Sequence, residues 1–161
     1  MNKAVFLDRD GVINNPRKNY YVFRIEDFSI NKGLIESLLY LQERNYMLIV
    51  ISNQGGISRG KYTMTDVDRV HEYMESELQK HGVDLTAVFY CPHHTKIENC
   101  LCRKPKPLMI EKAMAQFDID PELSWFIGDK KSDIEAGERA GVRTLKVRKN
   151  QDLRKVIKQI S

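Results

Sequence analysis

Two carboxylates stand two residues apart in the segment Asp8-Arg9-Asp10-Gly11. Side chains at positions i and i+2 of an extended segment point to the same side, so both can face one ligand. One carboxylate can attack phosphorus and form an aspartyl-phosphate, while a second, kept protonated, can donate to the leaving oxygen and later activate water. Repulsion within the pair predicts that one pKa is raised, and a bound Mg²⁺ ion would relieve that repulsion. The motif predicts phosphoryl transfer, although a lone Asp-x-Asp is also typical of a polar turn.

Polar side chains also follow three other apolar runs, in the segment Ser52–Gln54 and at Cys91 and Asp129. Ligands of parallel sheets bind beyond the carboxyl ends of the strands, so four strand ends deliver reactive groups to one edge. Lys104 adds a cation that can stabilise transferring phosphoryl oxygens. This convergence predicts a phosphoryl-transfer site and argues against a simple polar turn.

The runs that carry these residues are short and nearly uninterrupted, which is typical of strands buried on both faces of a parallel sheet. Amphipathic helical patterns separate them, so the sequence predicts an α/β fold with a mainly parallel central sheet. The lack of repeats and linkers predicts one domain over residues 1–161. The predicted strands are Ala4–Leu7, Met47–Ile51, Ala87–Tyr90, Trp125–Ile127 and Thr144–Val147, and the helical patterns cover Leu34–Leu41, Val67–Leu78, Leu108–Phe117, Ser132–Ala140 and Leu153–Ile160.

Two hydroxyl residues, Thr65 and Ser132, are the predicted N-caps of their helices. A side-chain oxygen at such a position can accept from a backbone N–H group of the first turn. His71 and His81 belong to the helical segment that follows Thr65. We expect both histidines to be surface or boundary residues and not ligands.

The composition is that of an ordinary folded protein, with 42% hydrophobic and 30% charged residues. The formal net charge of +4 is scattered along the chain, which suits a small anionic substrate and argues against a nucleic-acid-binding stripe. The first apolar run is too short for a signal peptide, and no run is long enough to cross a membrane. We therefore expect a cytoplasmic monomer with no nucleic-acid or membrane partner.

All three cysteines of the chain lie in one short stretch, in the patterns Cys91-x-His93 and Cys100-x-Cys102. Three thiolates and one imidazole form a closed tetrahedral Zn²⁺ site, which is structural because it has no open coordination position. His94 is an alternative ligand, and three free thiols in a loop are the alternative to a metal site. The zinc would hold loop 91–102 in place together with the basic residues that follow it.

Four segments of the chain together look like the motifs of the haloacid dehalogenase superfamily. That resemblance implies a Rossmann-like three-layer sandwich, with Asp8 as nucleophile and Asp10 as acid/base. It also implies that Ser52 and Lys104 hold the phosphoryl group, and that Asp8, the backbone carbonyl of Asp10 and Asp129 bind Mg²⁺. Asp133 is expected to lie behind these ligands, without contacting the Mg²⁺ ion itself. The four segments are Asp8-Arg9-Asp10-Gly11-Val12-Ile13-Asn14, Ser52-Asn53-Gln54, Lys104 and Gly128-Asp129-x-x-x-Asp133.

The interval of 42 residues between Gly11 and Asn53 leaves no room for a large cap domain, which resembles the capless branch of the superfamily. The cysteine loop and the segment that starts at Ser52 resemble the D-glycero-D-manno-heptose 1,7-bisphosphate 7-phosphatases and the related histidinol-phosphate phosphatases. The resemblance implies a sugar-phosphate substrate and a distal phosphate that meets Arg103. The residues that would line the substrate site are Asn53, Gln54, Gly55, Arg103 and Lys130.

The heptose enzymes are the first hypothesis, with loss of the 7-phosphate of heptose 1,7-bisphosphate in carbohydrate metabolism as the reaction. The segments Asn15–Tyr20 and His93–Cys100 differ in length from the heptose enzymes, and both would border the substrate. Histidinol phosphate and other sugar phosphates therefore stay as alternatives. A zinc-containing binding module is the distant alternative, because such a module has no use for the complete set of carboxylates and lysine.

Overall fold

The computed structural model describes all 161 residues and contains five strands and four α-helices. The predicted alternation of strands and helices is confirmed, with element boundaries that shift by a few residues. The strands are β1 (Lys3–Leu7), β2 (Tyr46–Asn53), β3 (Ala87–Cys91), β4 (Trp125–Gly128) and β5 (Arg143–Lys146). The helices are α1 (Leu34–Glu43), α2 (Met64–Gln79), α3 (Leu108–Phe117) and α4 (Lys131–Arg139).

All five strands are parallel and form one sheet in the order β3-β2-β1-β4-β5. Successive residues of the central strand β1 point to opposite faces, so Val5 and Leu7 pack with α1 and α2, while Ala4 and Phe6 pack with α3 and α4. Each of these four side chains is fully buried. The expected three-layer sandwich is therefore confirmed, and because all strands join one sheet we propose that residues 1–161 fold as one domain.

The N-cap of helix α2 lies two residues before the predicted one. Its N-cap is Thr63, whose hydroxyl accepts from Asp66 N at 3.1 Å, while the Asp66 carboxylate accepts from Thr63 N at 2.9 Å. The prediction of Thr65 was wrong because the reciprocal pair forms between Thr63 and Asp66. The Asp68 carboxylate, which could complete the same pair with Thr65, instead accepts from the Tyr90 hydroxyl at 3.1 Å.

Two further predictions near the C-terminus were wrong in detail. Helix α4 is capped at Lys130, whose backbone N–H donates to the Asp133 carboxylate at 3.1 Å, so Ser132 is already inside the helix. The last helical pattern forms two short 3-10 turns, Leu153–Lys155 and Ile157–Gln159. These turns still bury their apolar side chains against the core on the α1 face of the sheet.

The order of the strands places a crevice between β1 and β4. The chain runs from β1 outward to β3 on one side, and then returns to build β4 and β5 on the other side. Neighbouring connections diverge at such a switch point and leave room for a ligand at the carboxyl ends of the strands. Between β1 and β2 the chain forms only the 3-10 turn Ile25–Asp27 and helix α1, so no cap domain covers this crevice. None of the helices has the length and apolar character needed to span a membrane.

Candidate active site

Asp8 directly follows β1 and lies at the floor of the crevice, with only 4% of its surface exposed. Its Oδ1 atom accepts from Lys104 Nζ and from Arg9 N, both at 2.9 Å. Its Oδ2 atom is buried without a hydrogen-bond partner. Burial raises the pKa of Asp8, and the nearby Asp133 charge adds to the rise, although Lys104 opposes it. One oxygen of Asp8 is therefore held while the other is available for chemistry.

Lys104 neutralises the buried carboxylates at this floor. Its ammonium contacts Asp8 Oδ1 at 2.9 Å, Asp133 Oδ1 at 2.8 Å and the carbonyl oxygen of Ile51 at 2.7 Å. These three acceptors match the three protons of the ammonium group. Burial alone would lower the pKa of Lys104, but the two carboxylates outweigh it and leave the pKa raised. The lysine is therefore a fixed cation beside Asp8.

Replacing Lys104 with methionine is expected to lower the free energy of unfolding by about 3–5 kcal/mol, because Asp8 and Asp133 lose their buried counter-ion. Denaturation in urea measures the change. Lys112→Met is the matched control, since Lys112 is exposed on α3 and its replacement should alter stability by less than about 0.5 kcal/mol. Equal stability of the two variants would contradict this account of the ion cluster.

Asp10 lies at the wall of the same crevice, and its carboxylate accepts hydrogen bonds from Arg9. Arg9 Nε and Nη2 donate to Asp10 Oδ1 at 3.2 and 3.0 Å, and Asn14 Nδ2 donates to the same oxygen at 2.9 Å. Burial alone would raise the pKa of Asp10, but the Arg9 charge and these hydrogen bonds leave it lowered. Repulsion within the pair was expected to raise one of the two pKa values. In the substrate-free site the raised pKa is that of Asp8, and its largest cause is burial.

Asp129 follows β4 and faces Asp8 across the crevice. Oxygen atoms of Asp8, Asp129 and Asp133 lie within 4.8 Å of one another. Burial and then the Asp8 charge raise the pKa of Asp129 to about 6, and its Oδ1 atom is buried without a partner. Asp133 Oδ1 also lacks a hydrogen bond but forms an ion pair with Lys104 at 2.8 Å, so only Asp8 and Asp129 have an oxygen with neither kind of contact. Carboxylate oxygens gathered this closely fit a hard divalent cation such as Mg²⁺.

Gly11 allows the loop after β1 to approach Asp129. Its φ of +92° lies in the left-handed region, and a Cβ atom at this position would stand 2.6 Å from Asp129 Oδ2. The conformation is held from the other side by Asn150, whose backbone N–H donates to the Gly11 carbonyl at 2.7 Å. Gly11 is therefore needed for the close approach of two strand ends as well as for the turn of the chain.

A cleft of ≈ 410 Å³ opens above this floor. Six of the seven predicted substrate-binding residues line it, and Ser52 does not. Ser52 lies inside β2, is 1% exposed, and accepts from Gln54 Nε2 at 2.8 Å, because β2 extends to Asn53 instead of ending at Ile51. The six are Asn53, Gln54, Gly55, Arg103, Lys104 and Lys130.

Some of these residues position other residues of the cleft through direct contacts. The side-chain amide of Asn53 pairs with the backbone of Lys104, accepting from its N–H at 3.0 Å and donating to its carbonyl at 3.2 Å. Arg103 Nη1 donates to the carbonyl of His93 at 3.0 Å, directly above Gly55. A Cβ atom at Gly55 would stand 2.8 Å from that nitrogen. Asn53 therefore positions Lys104, and Gly55 makes room for the Arg103 guanidinium.

The cleft has further lining residues that were not assigned to the site individually. Tyr20 is 83% exposed and packs edge-on against Tyr21, with 4.7 Å between the ring centroids. The segment Asn15–Tyr20 was expected to border the substrate, and its position beside the cleft agrees with this. Lys149 gave no signal in the sequence, since one lysine in a basic C-terminal stretch is unremarkable. The unassigned lining residues are Pro16, Asn19, Tyr20, Tyr21, His94, Ser132 and Lys149.

The cysteine and histidine side chains converge beside the cleft. The four ligand atoms of Cys91, His93, Cys100 and Cys102 lie within 4.8 Å of one another. His93 Nδ1 is 3.4 Å from Cys91 Sγ and 3.3 Å from Cys102 Sγ. Cys91 Sγ lies 3.7 Å from Cys100 Sγ and 2.9 Å from Cys102 Sγ. The first distance is close to the ~3.8 Å expected across a tetrahedral zinc with bonds of ~2.3 Å, and the second is shorter. His94 instead faces the cleft, and its Nδ1 atom accepts from the backbone N–H of Lys96.

This sheet, with carboxylates at the ends of β1 and β4 and a buried lysine between them, defines a haloacid dehalogenase-like hydrolase. The family model described as HAD-hydrolase-like matches residues 101–160. A D-glycero-alpha-D-manno-heptose-1,7-bisphosphate 7-phosphatase of Campylobacter jejuni is 46% identical over 143 residues, which are 89% of this chain and 80% of the relative. A D-glycero-beta-D-manno-heptose-1,7-bisphosphate 7-phosphatase of Helicobacter pylori is also 46% identical, over 88% of this chain and 80% of the relative. The chain belongs to the family of the heptose bisphosphate phosphatases.

A solved structure supports the same placement. The crystal structure of the D,D-heptose 1,7-bisphosphate phosphatase of B. bronchiseptica, complexed with magnesium and phosphate, superposes with a TM-score of 0.85. The two sequences are 28% identical, and the match covers 98% of this chain and 86% of that chain. The protein is thus a phosphatase with the fold that its motifs predicted.

Proposed function

We propose that this phosphatase removes the 7-phosphate of D-glycero-D-manno-heptose 1,7-bisphosphate through an aspartyl-phosphate on Asp8. The observation that carries the proposal is the buried Asp8, with one oxygen held by Lys104 and the other unpartnered. Its neighbours Asp10 and Lys104 line a basic cleft. Such an oxygen can attack phosphorus without losing the hydrogen bonds that orient the group. The names of the curated relatives support the choice of sugar.

Asp8, Asp129 and the backbone carbonyl of Asp10 would hold a Mg²⁺ ion. The unpartnered Asp129 Oδ1 atom fits this assignment, and Asp8 would contribute the carboxylate oxygen that does not attack phosphorus. The magnesium in the B. bronchiseptica enzyme supports it. When bound, the ion offsets the negative charge of the phosphate. Asp133 would stay outside the ligand set, because its carboxylate binds Lys104 and caps helix α4 at Lys130.

Asp10 would move the protons. In the first step Asp8 Oδ2 forms a bond to phosphorus, the ester bond breaks, and the leaving oxygen takes a proton from Asp10. In the second step Asp10 accepts a proton from the water that attacks phosphorus and releases Asp8. The lowered pKa of Asp10 in the substrate-free site suits the second step. The first step needs the protonated form, and a phosphate dianion beside the carboxylate would raise its pKa.

Three cations around the cleft would bind the second phosphate of the substrate, away from the reacting one. They are Arg103, Lys130 and Lys149. The planar guanidinium suits two oxygens of one phosphate, and the lysines add point charges. The relatives are named for both the alpha and the beta anomer at the same 46% identity, so we propose the bisphosphate without a choice of anomer.

Phosphate release from both anomers of heptose 1,7-bisphosphate and from histidinol phosphate tests the substrate. We expect kcat/KM to be about 100-fold higher for a bisphosphate than for histidinol phosphate, because charge-assisted hydrogen bonds to a second phosphate are worth about 1.5–3 kcal/mol each. Arg103→Met should remove most of this preference and leave activity on a monophosphate largely intact. A preference for histidinol phosphate in the unmodified protein would overturn the assignment of the sugar.

We also propose that a structural zinc ion is held by Cys91, His93, Cys100 and Cys102. The convergence of three sulfurs and one imidazole nitrogen supports it. The loop has little else to hold it, since Ile97 is 57% exposed. The ion would fix the segment that continues directly into the phosphate-binding cations Arg103 and Lys104.

A further inference from the structure

We propose that His71 is a positioning residue for the acid/base carboxylate, acting through the buried guanidinium of Arg9. The inference rests on the proposed role of Asp10. His71 lies on α2, far in sequence from the reacting groups, and its side chain is buried although a surface or boundary position was expected. Its Nε2 atom lies 3.1 Å from Arg9 Nη1.

Arg9 is completely buried and connects three parts of the molecule. Its Nη2 atom donates to Asp10 Oδ1 at 3.0 Å and to Asp10 Oδ2 at 3.1 Å. The same nitrogen donates to the Val22 carbonyl at 2.7 Å. The remaining nitrogen, Nη1, points to His71. The orientation of the Asp10 carboxylate is therefore set by a guanidinium plane, and that plane is fixed by one carbonyl and one imidazole.

The imidazole must accept a hydrogen bond here, because its neighbour is a cation that can only donate. A neutral imidazole with an unprotonated Nε2 atom meets this need. Burial and the Arg9 charge both disfavour the charged form and lower the pKa of His71 to about 3. The ring is further fixed by Tyr90 of β3, whose ring stands edge-on to it with 5.5 Å between centroids. The ring is therefore both neutral and held in orientation.

An apolar side chain at position 71 would leave Arg9 Nη1 buried without an acceptor. A buried donor without a partner is costly, so the guanidinium would turn toward another acceptor. Asp10 would then lose the plane that orients its two oxygens. Asp8 would keep its own contacts with Lys104 and the Arg9 backbone. The defect should therefore appear in proton transfer and leave the nucleophile intact.

The test compares phenyl phosphate with p-nitrophenyl phosphate, two esters of similar shape whose leaving groups differ in their need for a proton. For His71→Leu we expect kcat/KM to fall about tenfold on phenyl phosphate and less than about threefold on p-nitrophenyl phosphate, since general acid catalysis matters most for the poorer leaving group. His71→Gln offers an amide oxygen as acceptor and should recover most of the loss. His81→Leu, at an exposed histidine, is the control and should not differ from the unmodified protein.

An equal loss on both esters, or no recovery in His71→Gln, would show that His71 only supports the fold. Asp10→Asn separates the two proposals. If that variant shows no dependence on the leaving group, the role proposed for Asp10 fails. If it shows the dependence and His71→Leu does not, the positioning role alone fails.

A measurement on the unmodified protein keeps the inference testable even if His71→Leu does not fold. The ¹⁵N chemical shifts of the His71 ring should report an unprotonated Nε2 atom at neutral pH and still at pH values near 6. A doubly protonated ring in that range would overturn the inference, because an imidazolium cannot accept from Arg9.

Discussion

The Asp8→Asn variant is expected to lose kcat on phosphate esters by at least about 10⁴-fold, as enzymes do when their nucleophile is removed. The amide keeps the shape of the side chain, and its oxygen can still accept from Lys104 in place of Oδ1. What it lacks is the charged second oxygen, which is unpartnered in the structure and would form the bond to phosphorus. Phosphate release with saturating substrate and Mg²⁺ measures the loss.

Asp10→Asn is the matched comparison, since it alters the second carboxylate of the same motif. With p-nitrophenyl phosphate the first step needs little help from an acid, whereas hydrolysis of the aspartyl-phosphate still needs a base. This variant should therefore accumulate a chain heavier by one phosphoryl group, and peptide mapping by mass spectrometry should place that group on Asp8. A phosphorylated residue elsewhere, or turnover by Asp8→Asn near the original rate, would contradict the mechanism.

The strand ends explain why so much of this site can be predicted from the sequence. Buried parallel strands appear as short apolar runs, and the residue that follows each run lies at the same edge of the sheet. The positions of the apolar runs therefore predict that Asp8 and Asp129 lie at the same edge of the sheet. Their closeness depends on the pairing of β1 with β4, which the runs do not reveal. The same reasoning predicts two core layers, because alternate residues of β1 must be covered on both faces.

The surroundings of each carboxylate could not be predicted in this way. Arg9 and His71 are separated by 62 positions, and their contact depends on how helix α2 packs over the sheet. No pattern within either segment indicates it. The direction of the Asp10 pKa could not be predicted either, because the Arg9 charge reverses the effect that burial alone would have. Two carboxylates in one motif predict that repulsion raises one pKa. Burial and the nearby charges of Arg9 and Asp133 decide which of the two pKa values is raised.

The exposure of the Ser52 side chain could not be predicted from the sequence either. Its position in the motif is readable, but its exposure depends on the strand boundary, which lies at Asn53 and beyond the apolar run. The hydroxyl faces Gln54, whose own amide oxygen accepts from Tyr62 at 2.6 Å. The substrate-free site therefore holds Ser52 within a side-chain network, in which its hydroxyl accepts from Gln54 and keeps its own proton available to donate.

The double variant Cys100→Ser, Cys102→Ser is expected to lose its zinc and about 5 kcal/mol or more of the free energy of unfolding. Binding to a closed site of this kind contributes directly to folding, with apparent values of about 10–16 kcal/mol in isolated zinc peptides. A larger domain that folds around its own sheet should lose only part of this. Activity should fall together with stability, because the loop that the proposed metal would hold leads directly into Arg103 and Lys104. Metal analysis, thermal denaturation and phosphate release measure the three effects.

Leu101→Ser is the matched control for this prediction, because it changes the residue between the two cysteines. Leu101 is 75% exposed and its replacement should leave zinc content, stability and activity unchanged. His93→Ala and His94→Ala distinguish the two histidines, since only the first ring lies against the sulfurs while the second faces the cleft. We expect zinc loss in His93→Ala alone. Full zinc content in the double cysteine variant would remove the metal site, and zinc loss in His94→Ala alone would exchange the fourth ligand.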